Sequence, residues 1–359
     1  MSMMLPSKLL PKPRLILPIQ YLRGVAALAV VWHHARGQLP GLEALFPWDF
    51  GTSGVDLFFV ISGFIMFVTT TGSGMRPQQF LWRRIIRVVP LYWLLTLSMV
   101  VVAIVVPSLF NTLKVSPTTL LQSLLFIPHF SQSFPDSVWP LLVPGWTLNF
   151  EMFFYAVFGV ALFLPARGHL AAVSLFLLAL ICIGFAFGPF SSAVARTYTH
   201  PMLLEFVAGA LIGGWWLNGQ FRLPAVASVL LIAIGVAMLV LRDREPLGYF
   251  TQSIGAVLGV VGGVDRRFGA WNSRVLQALG DSSYSLYLTH IFTLGALRVV
   301  WSKLLPSVPA LFTGSTFMLM SLLVCAAVGW LTYRWIETPL LRGLSGARSA
   351  PAGVMVASS

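Results

Sequence analysis

The sequence predicts an all-α, polytopic integral membrane protein with about ten transmembrane helices. Hydrophobic residues make up 57% of the 359 residues and charged residues only 9%, whereas roughly 25% charged is usual in a soluble domain. Apolar runs also recur from about residue 15 to about residue 340 without a polar interval long enough to fold separately. The chain is therefore expected to contain a cytoplasmic tail (1–14), one membrane domain (15–340) and a disordered tail (341–359).

The first apolar run, 15–36, is predicted to be a retained helix. Basic residues precede it, as in a signal peptide, at Lys8, Lys12 and Arg14. The run ends in the polar stretch 33–36, and no small-residue cleavage site is present. It is therefore expected to remain as the first span.

Further segments meet the requirement of about 20 mostly apolar residues for one crossing of the bilayer core. They are 51–71, 88–107, 146–165, 171–188, 202–218, 223–241, 247–264, 281–301 and 311–333. The segment 119–130 is apolar but short, which indicates a re-entrant or interfacial helix and leaves an eleventh crossing open.

The basic residues predict the orientation of these spans. With the N-terminus in the cytoplasm, 14 of the 23 Lys and Arg residues fall in inner segments and six in outer segments, in agreement with the positive-inside rule. An even number of spans returns the C-terminus to the cytoplasm. The chain is therefore expected in the cytoplasmic (inner) membrane, with the lipid bilayer around it and both termini inside.

The net charge of +12 is explained by this topology and not by a nucleic-acid partner. A nucleic-acid-binding protein would have a basic face with interleaved aromatic residues, and the sequence shows none. Cys182 and Cys325 lie in apolar stretches without a CxxC or Cys/His spacing, so no metal site is expected. No bound cofactor is predicted, and the sequence does not determine the oligomeric state.

Ionisable residues inside the spans are the clearest functional signal. Each costs at least about 2.5–3.5 kcal/mol at the bilayer centre, so it needs a partner or a role. The candidates are Arg23, His34, Asp56, Glu151, Glu205, His290, Arg334 and Glu337.

Arg23 and His34 share one face of the first span. They are eleven residues apart, which is close to three full turns and about 16 Å. His33 points about 80° away from Arg23, so helical phase selects His34 as the residue that shares the arginine's cavity. An interfacial histidine pair at the helix end is the alternative.

Asp56 and Glu151 are expected at the depth of His34, because the second and fourth spans both enter from the outer side. A neutral histidine can take a proton from a hydroxyl, and a carboxylate can orient the histidine or hold its charged form. A helix cap at Asp56 and a structural salt bridge at Glu151 are equally compatible with the sequence.

The basic run Arg83, Arg84 and Arg87 ends the predicted loop between the second and third spans. Arg84 and Arg87 are three residues apart and share a helical face, where two cations could hold phosphates from the cytoplasmic side. The alternative is that these arginines only keep this segment on the cytoplasmic side of the membrane, which would require the same residues. His290 lies in a helical stretch rich in hydroxyls, so helix packing and substrate contact both remain open.

Six segments in order make the chain similar to the acyltransferase 3 family of membrane O-acyltransferases, and particularly to its exopolysaccharide-modifying branch. The resemblance covers about residues 18–340. The segments are 19–28 running on to His34, 54–64, 83–90, 145–151, 284–290 and 337–340. Asn149 and Phe150 depart from the small and acidic residues often seen before the glutamate of this family.

The resemblance implies ten-span enzymes that take an acyl group, usually acetyl, from cytoplasmic acyl-CoA and place it on a carbohydrate hydroxyl. It implies that His34 is the catalytic base or an acyl relay. Arg23, Asp56 and Glu151 would belong to the same catalytic site.

The resemblance also implies that Arg84 and Arg87, with the adjacent Arg83, bind acyl-CoA. The residues expected to bind substrate are Trp146, Tyr284 and His290. Acyl-CoA, with acetyl-CoA as the usual donor, and a carbohydrate acceptor are thus the expected partners.

A transport protein is the competing class. Buried His, Asp and Glu residues in about ten spans would also suit a proton-coupled transporter or a flippase of a lipid-linked sugar. The sequence contains neither an inverted repeat nor the paired broken helices that such carriers have. A membrane scaffold without chemistry is a third class.

Overall fold

The computed structural model describes residues 14–106, 113–165, 168–218, 223–240, 248–264, 272–304, 310–345 and 355–356. Most of the two predicted tails, 1–13 and 346–359 apart from 355–356, lies outside the described residues. The described elements are helices, apart from an antiparallel pairing of Arg14–Leu15 (β1) with Met355–Val356 (β2). The predicted all-α class is thus confirmed for the described part of the chain.

A helix occupies each of the ten segments predicted as spans. The helices of the first half are α1 (Leu17–Arg36), α2 (Leu42–Leu45), α3 (Ser53–Thr70), α4 (Pro77–Val105), α5 (Pro117–Leu124), α6 (Gly145–Ala161) and α7 (His169–Phe187). Those of the second half are α8 (Ala193–Tyr198), α9 (Leu203–Leu217), α10 (Ala225–Val240), α11 (Gly248–Gly263), α12 (Arg274–Asp281), α13 (Ser283–Leu304), α14 (Ala310–Thr332) and α15 (Thr338–Ser345). A π-helical turn, Tyr333–Glu337, joins α14 to α15.

Four helical segments of the described chain are long and apolar enough to cross a membrane. They are α3, α4, α7 and the continuous run Phe312–Ser345. α10 and the part Phe250–Gly263 of α11 are apolar but shorter. α9 has 15 residues and is about 23 Å long, below the roughly 30 Å of a hydrocarbon core. These apolar helices identify a membrane protein.

α4 begins earlier than the sequence predicts. It starts at Pro77, so the basic run 83–87, which the sequence predicts to end a loop, lies inside the helix. Pro77 occupies the first turn, where its missing N–H would have no helical partner. Arg84 and Arg87 are therefore held on a regular helix.

α3 is the central helix of the bundle. Its apolar window is 83% buried, against 17% for that of α7, which lies at the periphery. α9 approaches α3 so closely that a Cβ atom at Gly209 would lie 1.9 Å from the carbonyl oxygen of Val60. A Cβ atom at Gly63 would lie 2.0 Å from the carbonyl oxygen of Phe206. Small residues permit this backbone contact, as in many membrane helix pairs.

α1 also lies inside the bundle, where it packs against α3, α12, α13 and α14. Gly54 of α3 approaches α1 so closely that a Cβ atom there would lie 2.3 Å from the carbonyl oxygen of Ala26. Gly280 makes a similar approach from α12, 2.1 Å from the carbonyl oxygen of Gln20. The helix that carries Arg23 and His34 is thus packed against several other helices.

Candidate active site

A group of charged side chains lies where α1, α4, α6 and the π-helical turn meet. It contains Arg23, Arg84, Arg87, Glu151 and Glu337, and each of these charges acts on at least one other. These five residues are called the basic cluster below. The half-buried carboxylate of Asp281, at the end of α12, also acts on Arg23 and Arg87.

The two carboxylates of the basic cluster are held by hydrogen bonds. Glu337 forms an ion pair with Arg87 through one oxygen and accepts a hydrogen bond from Ser285 Oγ at 2.5 Å through the other. Glu151 accepts a hydrogen bond from the hydroxyl of Tyr155, one turn further along α6. Both carboxylates therefore have fixed positions relative to the arginines.

The arginines of α4 lie over aromatic rings. Cζ of Arg84 is 5.8 Å from the ring centre of Tyr155, and Cζ of Arg87 is 5.7 Å from that of Tyr284. The Tyr284 hydroxyl donates to the backbone carbonyl of Val88 at 2.7 Å, which ties α13 to α4. These cation–π contacts favour one orientation of each guanidinium group.

The same region contains buried donors that lack hydrogen-bond partners in the described part of the chain. They are Nε of Arg84, Nη2 of Arg87, and Nε2 of Gln20, whose Oε1 accepts from Arg23 at 2.9 Å. An unpaired buried donor costs about 1–3 kcal/mol, and more when it is charged. Such donors are suited to an anion, since guanidinium groups bind phosphate oxygens in pairs.

A second group lies at the other end of α1. The ring centre of His34 is 4.9 Å from that of His290 on α13 and 4.8 Å from that of His33. Nδ1 of His33 donates to the Asp49 carboxylate at 2.8 and 2.9 Å, and Arg36 forms an ion pair with the same carboxylate at 3.2 Å. His33, His34 and His290 are called the histidine row below.

A polar groove of about 600 Å³ lies at this end of α1, within the usual size range of small-ligand sites. Gln38 lines the groove and donates from Nε2 to the backbone carbonyl of His34 at 3.1 Å. The other lining residues are Arg36, Gly37, Leu39, Pro40, Gly41, Glu43, Arg298, Val299 and Ser302. The groove thus adjoins the histidine row.

Asp56 faces away from α1, contrary to the expectation that it accompanies His34. Its carboxyl group is hydrogen-bonded to Glu205 of α9, which also accepts from Ser253 of α11 at 2.6 Å. The reason is helical phase, because Gly54 faces α1 and Asp56 lies about 200° further round α3.

Glu151 lies at the depth of Arg23, so the expectation that it shares the depth of His34 is corrected. The positive charges that act on it are those of the three arginines of the basic cluster. α6 begins deep in the bundle, where Gly145 contacts the ring of Tyr92 in the interior of α4. Glu151 is the seventh residue of α6. Because α6 starts below the surface, Glu151 lies deeper in the bundle than His34, which is near the outer end of α1.

The other residues assigned to the site from the sequence lie in different places. Arg83 is exposed on α4. Trp146 is half-buried at the start of α6, with its ring centre 6.0 Å from that of Phe150. Tyr284 adjoins the basic cluster, and His290 belongs to the histidine row.

The sequence alone did not predict the contacts of Glu337, Tyr155 and Asp49. Glu337 stands out as a charge near the end of a span, but its partner is remote in sequence. Tyr155 follows Glu151 by four residues on one helix, a spacing that signals a contact. Asp49 lies in a loop, and no sequence pattern connects it to His33.

Known proteins are similar to most of this chain. Residues 17–334 match a family model described as an acyltransferase domain. The chain is 40% identical over 295 residues to the exopolysaccharide production protein ExoZ of Rhizobium meliloti (strain 1021), covering 81% of this chain and 90% of that protein. It is 28% identical over 298 residues to BcsY of Komagataeibacter xylinus, which is named as a membrane-bound transacylase, covering 76% and 71%. No solved structure matches the chain.

Proposed function

This chain belongs to the acyltransferase family whose model matches residues 17–334, and we propose that it transfers an acyl group from acyl-CoA to a carbohydrate hydroxyl. The acyl group in this proposal is acetyl, and an exported carbohydrate such as exopolysaccharide is the acceptor. One relative is named for exopolysaccharide production and another for membrane-bound acyl transfer, which supports this choice. Acyl-CoA is a substrate in this proposal, and no resident cofactor takes part.

The observation that carries the proposal is that α1 connects the basic cluster to the histidine row. Arg23 lies at the first and His34 at the second, about 16 Å apart along one helix. In acyl-CoA, the long pantetheine arm separates the phosphates from the thioester. A donor whose phosphates bind at the basic cluster can therefore present its acyl group near His34.

At the basic cluster, Arg84 and Arg87 bind the phosphates of the donor. The support for this step is that Nε of Arg84 and Nη2 of Arg87 are buried and unpaired among the described residues. Glu151 keeps the arginines in position, and the exposed Arg83 adds positive charge at the cytoplasmic entrance. Arg23 holds the donor where the arm enters the bundle.

At the histidine row, His34 acts as the general base. It takes the proton of the acceptor hydroxyl while the oxygen attacks the thioester carbonyl carbon. A C–O bond forms, the C–S bond breaks, and the proton passes from His34 to the departing CoA thiolate. The polar groove beside His34 holds the carbohydrate, with Trp146 as a further substrate contact.

The proposal includes about ten crossings of the cytoplasmic (inner) membrane, with both termini in the cytoplasm. The bias of basic residues supports this orientation, and a helix is present in each predicted segment. In this orientation the basic cluster lies towards the cytoplasm, where acyl-CoA is made. The groove lies towards the outer side, where exported carbohydrate is found.

The test compares cells that lack the gene with cells complemented by the wild-type chain or by His34→Ala. Mass spectrometry of the surface polysaccharide should detect the added acyl mass with the wild-type chain and its loss with His34→Ala. His169→Gln, on the peripheral helix α7, is the matched control and should acylate normally. Unchanged acylation with His34→Ala, at a normal amount of protein in the membrane, would contradict the assignment.

A further inference from the structure

His290 is a fully buried histidine whose proton position is determined by its surroundings. Its side chain is 0% exposed, and Nδ1 lies 2.6 Å from the backbone carbonyl of Tyr287. A carbonyl oxygen only accepts, so Nδ1 must carry the hydrogen. A second proton would create an unpaired cation in a buried site, so Nε2 is left as a lone-pair acceptor.

The carbonyl that fixes this tautomer is itself held in place. The hydroxyl of Tyr287 lies 2.9 Å from Oγ1 of Thr147 and 3.0 Å from the backbone carbonyl of Pro144, at the start of α6. Thr289 and Thr293 donate back to the backbone of α13 at 2.7 and 3.1 Å. The orientation of the His290 ring is therefore set by contacts between two helices.

Nε2 of His290 has no hydrogen-bond partner within the described residues, although it is buried. An unmet acceptor of this kind is costly in a protein interior and calls for a functional explanation. The ring that it adjoins is that of His34, at a centre-to-centre distance of 4.9 Å and an angle of 35° between the planes. Hydrogen bonds of catalytic groups are often loose without substrate and shorten when it binds.

We propose that His290 is a positioning residue for His34, and that its Nε2 accepts a hydrogen bond from the His34 ring while His34 removes the proton of the acceptor hydroxyl. This inference rests on the proposed function. His290 thus takes the place that a carboxylate has in many hydrolases, where it orients the base and stabilises its protonated form.

A neutral partner suits this location. An ionised carboxylate next to His34 would have to be stripped of water in an apolar bundle, which costs several kcal/mol unless the charge is well paired. The acidic groups predicted for this purpose, Asp56 and Glu151, instead lie with Glu205 and with the basic cluster. The charge of Asp49 does act on His34, but its carboxylate is held by His33 and Arg36. A lone pair on an uncharged ring avoids that cost.

In this arrangement the proton balance of the transfer is complete. One ring nitrogen of His34 takes the hydroxyl proton and returns it to the CoA thiolate as the C–S bond breaks. The other ring nitrogen keeps its hydrogen and donates it to His290 throughout. His290 neither gains nor loses a proton in the cycle.

The test uses membrane vesicles that contain the full chain, labelled acetyl-CoA, and polysaccharide purified from cells lacking the gene and stripped of its esters. His290→Asn retains a donor that can reach the Tyr287 carbonyl but has no acceptor at the position of Nε2. We expect kcat to fall on the order of 100-fold and KM for acetyl-CoA to change less than about threefold. His290→Gln, which can place an amide oxygen near Nε2, should recover about tenfold of the loss.

His129 offers a matched control, since it is also buried and its Nδ1 lies 2.8 Å from the carbonyl of Ile127. His129→Asn should keep kcat near the wild-type value. Normal kcat in His290→Asn, no recovery in His290→Gln, or an equal loss in His129→Asn would each overturn the inference.

These outcomes are distinct from failure of the proposed function. If the wild-type vesicles transfer no acetyl group above vesicles without the protein, the proposed function fails and this inference fails with it. If His34→Ala is inactive while His290→Asn keeps its rate, only the role of His290 is refuted.

Discussion

Arg87 of α4 and Glu337 of the π-helical turn form an ion pair although 250 positions separate them in the chain. The Glu337 side chain is only 2% exposed, and its second oxygen accepts from Ser285 of α13. The end of the described bundle thus holds one of the arginines proposed to bind the phosphates of the donor. If Arg87 binds the donor as proposed, loss of this ion pair should affect both stability and donor binding.

Glu337→Gln should lower the midpoint of thermal unfolding in detergent, because Arg87 loses its counter-charge. Removal of one partner from a buried pair costs about 3–5 kcal/mol, and we expect the lower end because the Arg87 side chain is 20% exposed. The double variant with Arg87→Gln should recover part of the loss. Additive losses in the double variant would show that the two residues are not coupled.

Arg84→Lys should raise KM for acetyl-CoA about tenfold or more, because a charge-assisted hydrogen bond contributes about 1.5–3 kcal/mol. Lysine keeps the charge but cannot offer the paired donors of a guanidinium group. The measurement is the initial rate of CoA release over a range of acetyl-CoA concentrations. Arg83→Lys, at the exposed neighbouring position, is the control, and equal effects in both variants would argue against phosphate binding by Arg84.

Arg298→Gln should raise KM for the polysaccharide severalfold and leave KM for acetyl-CoA unchanged, because Arg298 lines the groove and lies far along α13 from the basic cluster. Lys303→Gln provides the control, since Lys303 is an exposed cation on the same helix and does not line the groove. Acetylation measured over a range of polysaccharide concentrations distinguishes the two. A change in the acetyl-CoA constant would place Arg298 in donor binding instead.

Gly209→Ala should greatly reduce the amount of folded protein in the membrane. The added Cβ atom would lie 1.9 Å from the carbonyl oxygen of Val60, so α9 would have to move away from the central helix. Gly295→Ala is the matched control, because nothing lies within 4 Å of a Cβ atom there. Size-exclusion profiles of the solubilised variants provide the measurement, and a normal profile for Gly209→Ala would contradict the close packing of α3 and α9.

Several features of the site could be predicted because they depend on residues within one helix. Eleven residues of a regular helix put Arg23 and His34 on the same face, and α1 is continuous over both positions. A three-residue spacing likewise put Arg84 and Arg87 side by side on α4. The loop expected at the basic run was wrong, because Pro77 starts the helix further upstream.

The partners of the carboxylates could not be predicted, because they depend on the depth and rotation of separate helices. An assumption that each span starts at the surface put Glu151 level with His34, whereas α6 starts inside the bundle. Rotation of α3 turns Asp56 towards Glu205 and away from α1. The depth of a helix and its rotation cannot be predicted from the sequence pattern of that helix alone.

The sequence by itself determined the helical segments, the membrane character of the chain and the residues that share one helical face. Hydrophobic run length and the 3.6-residue period act over a few turns, so they are readable locally. Only the tertiary structure decided which faces meet: His34 with His290, and Arg87 with Glu337. Backbone contacts at glycines such as Gly54 set the rotation and depth of the helices, and those contacts join residues far apart in the chain.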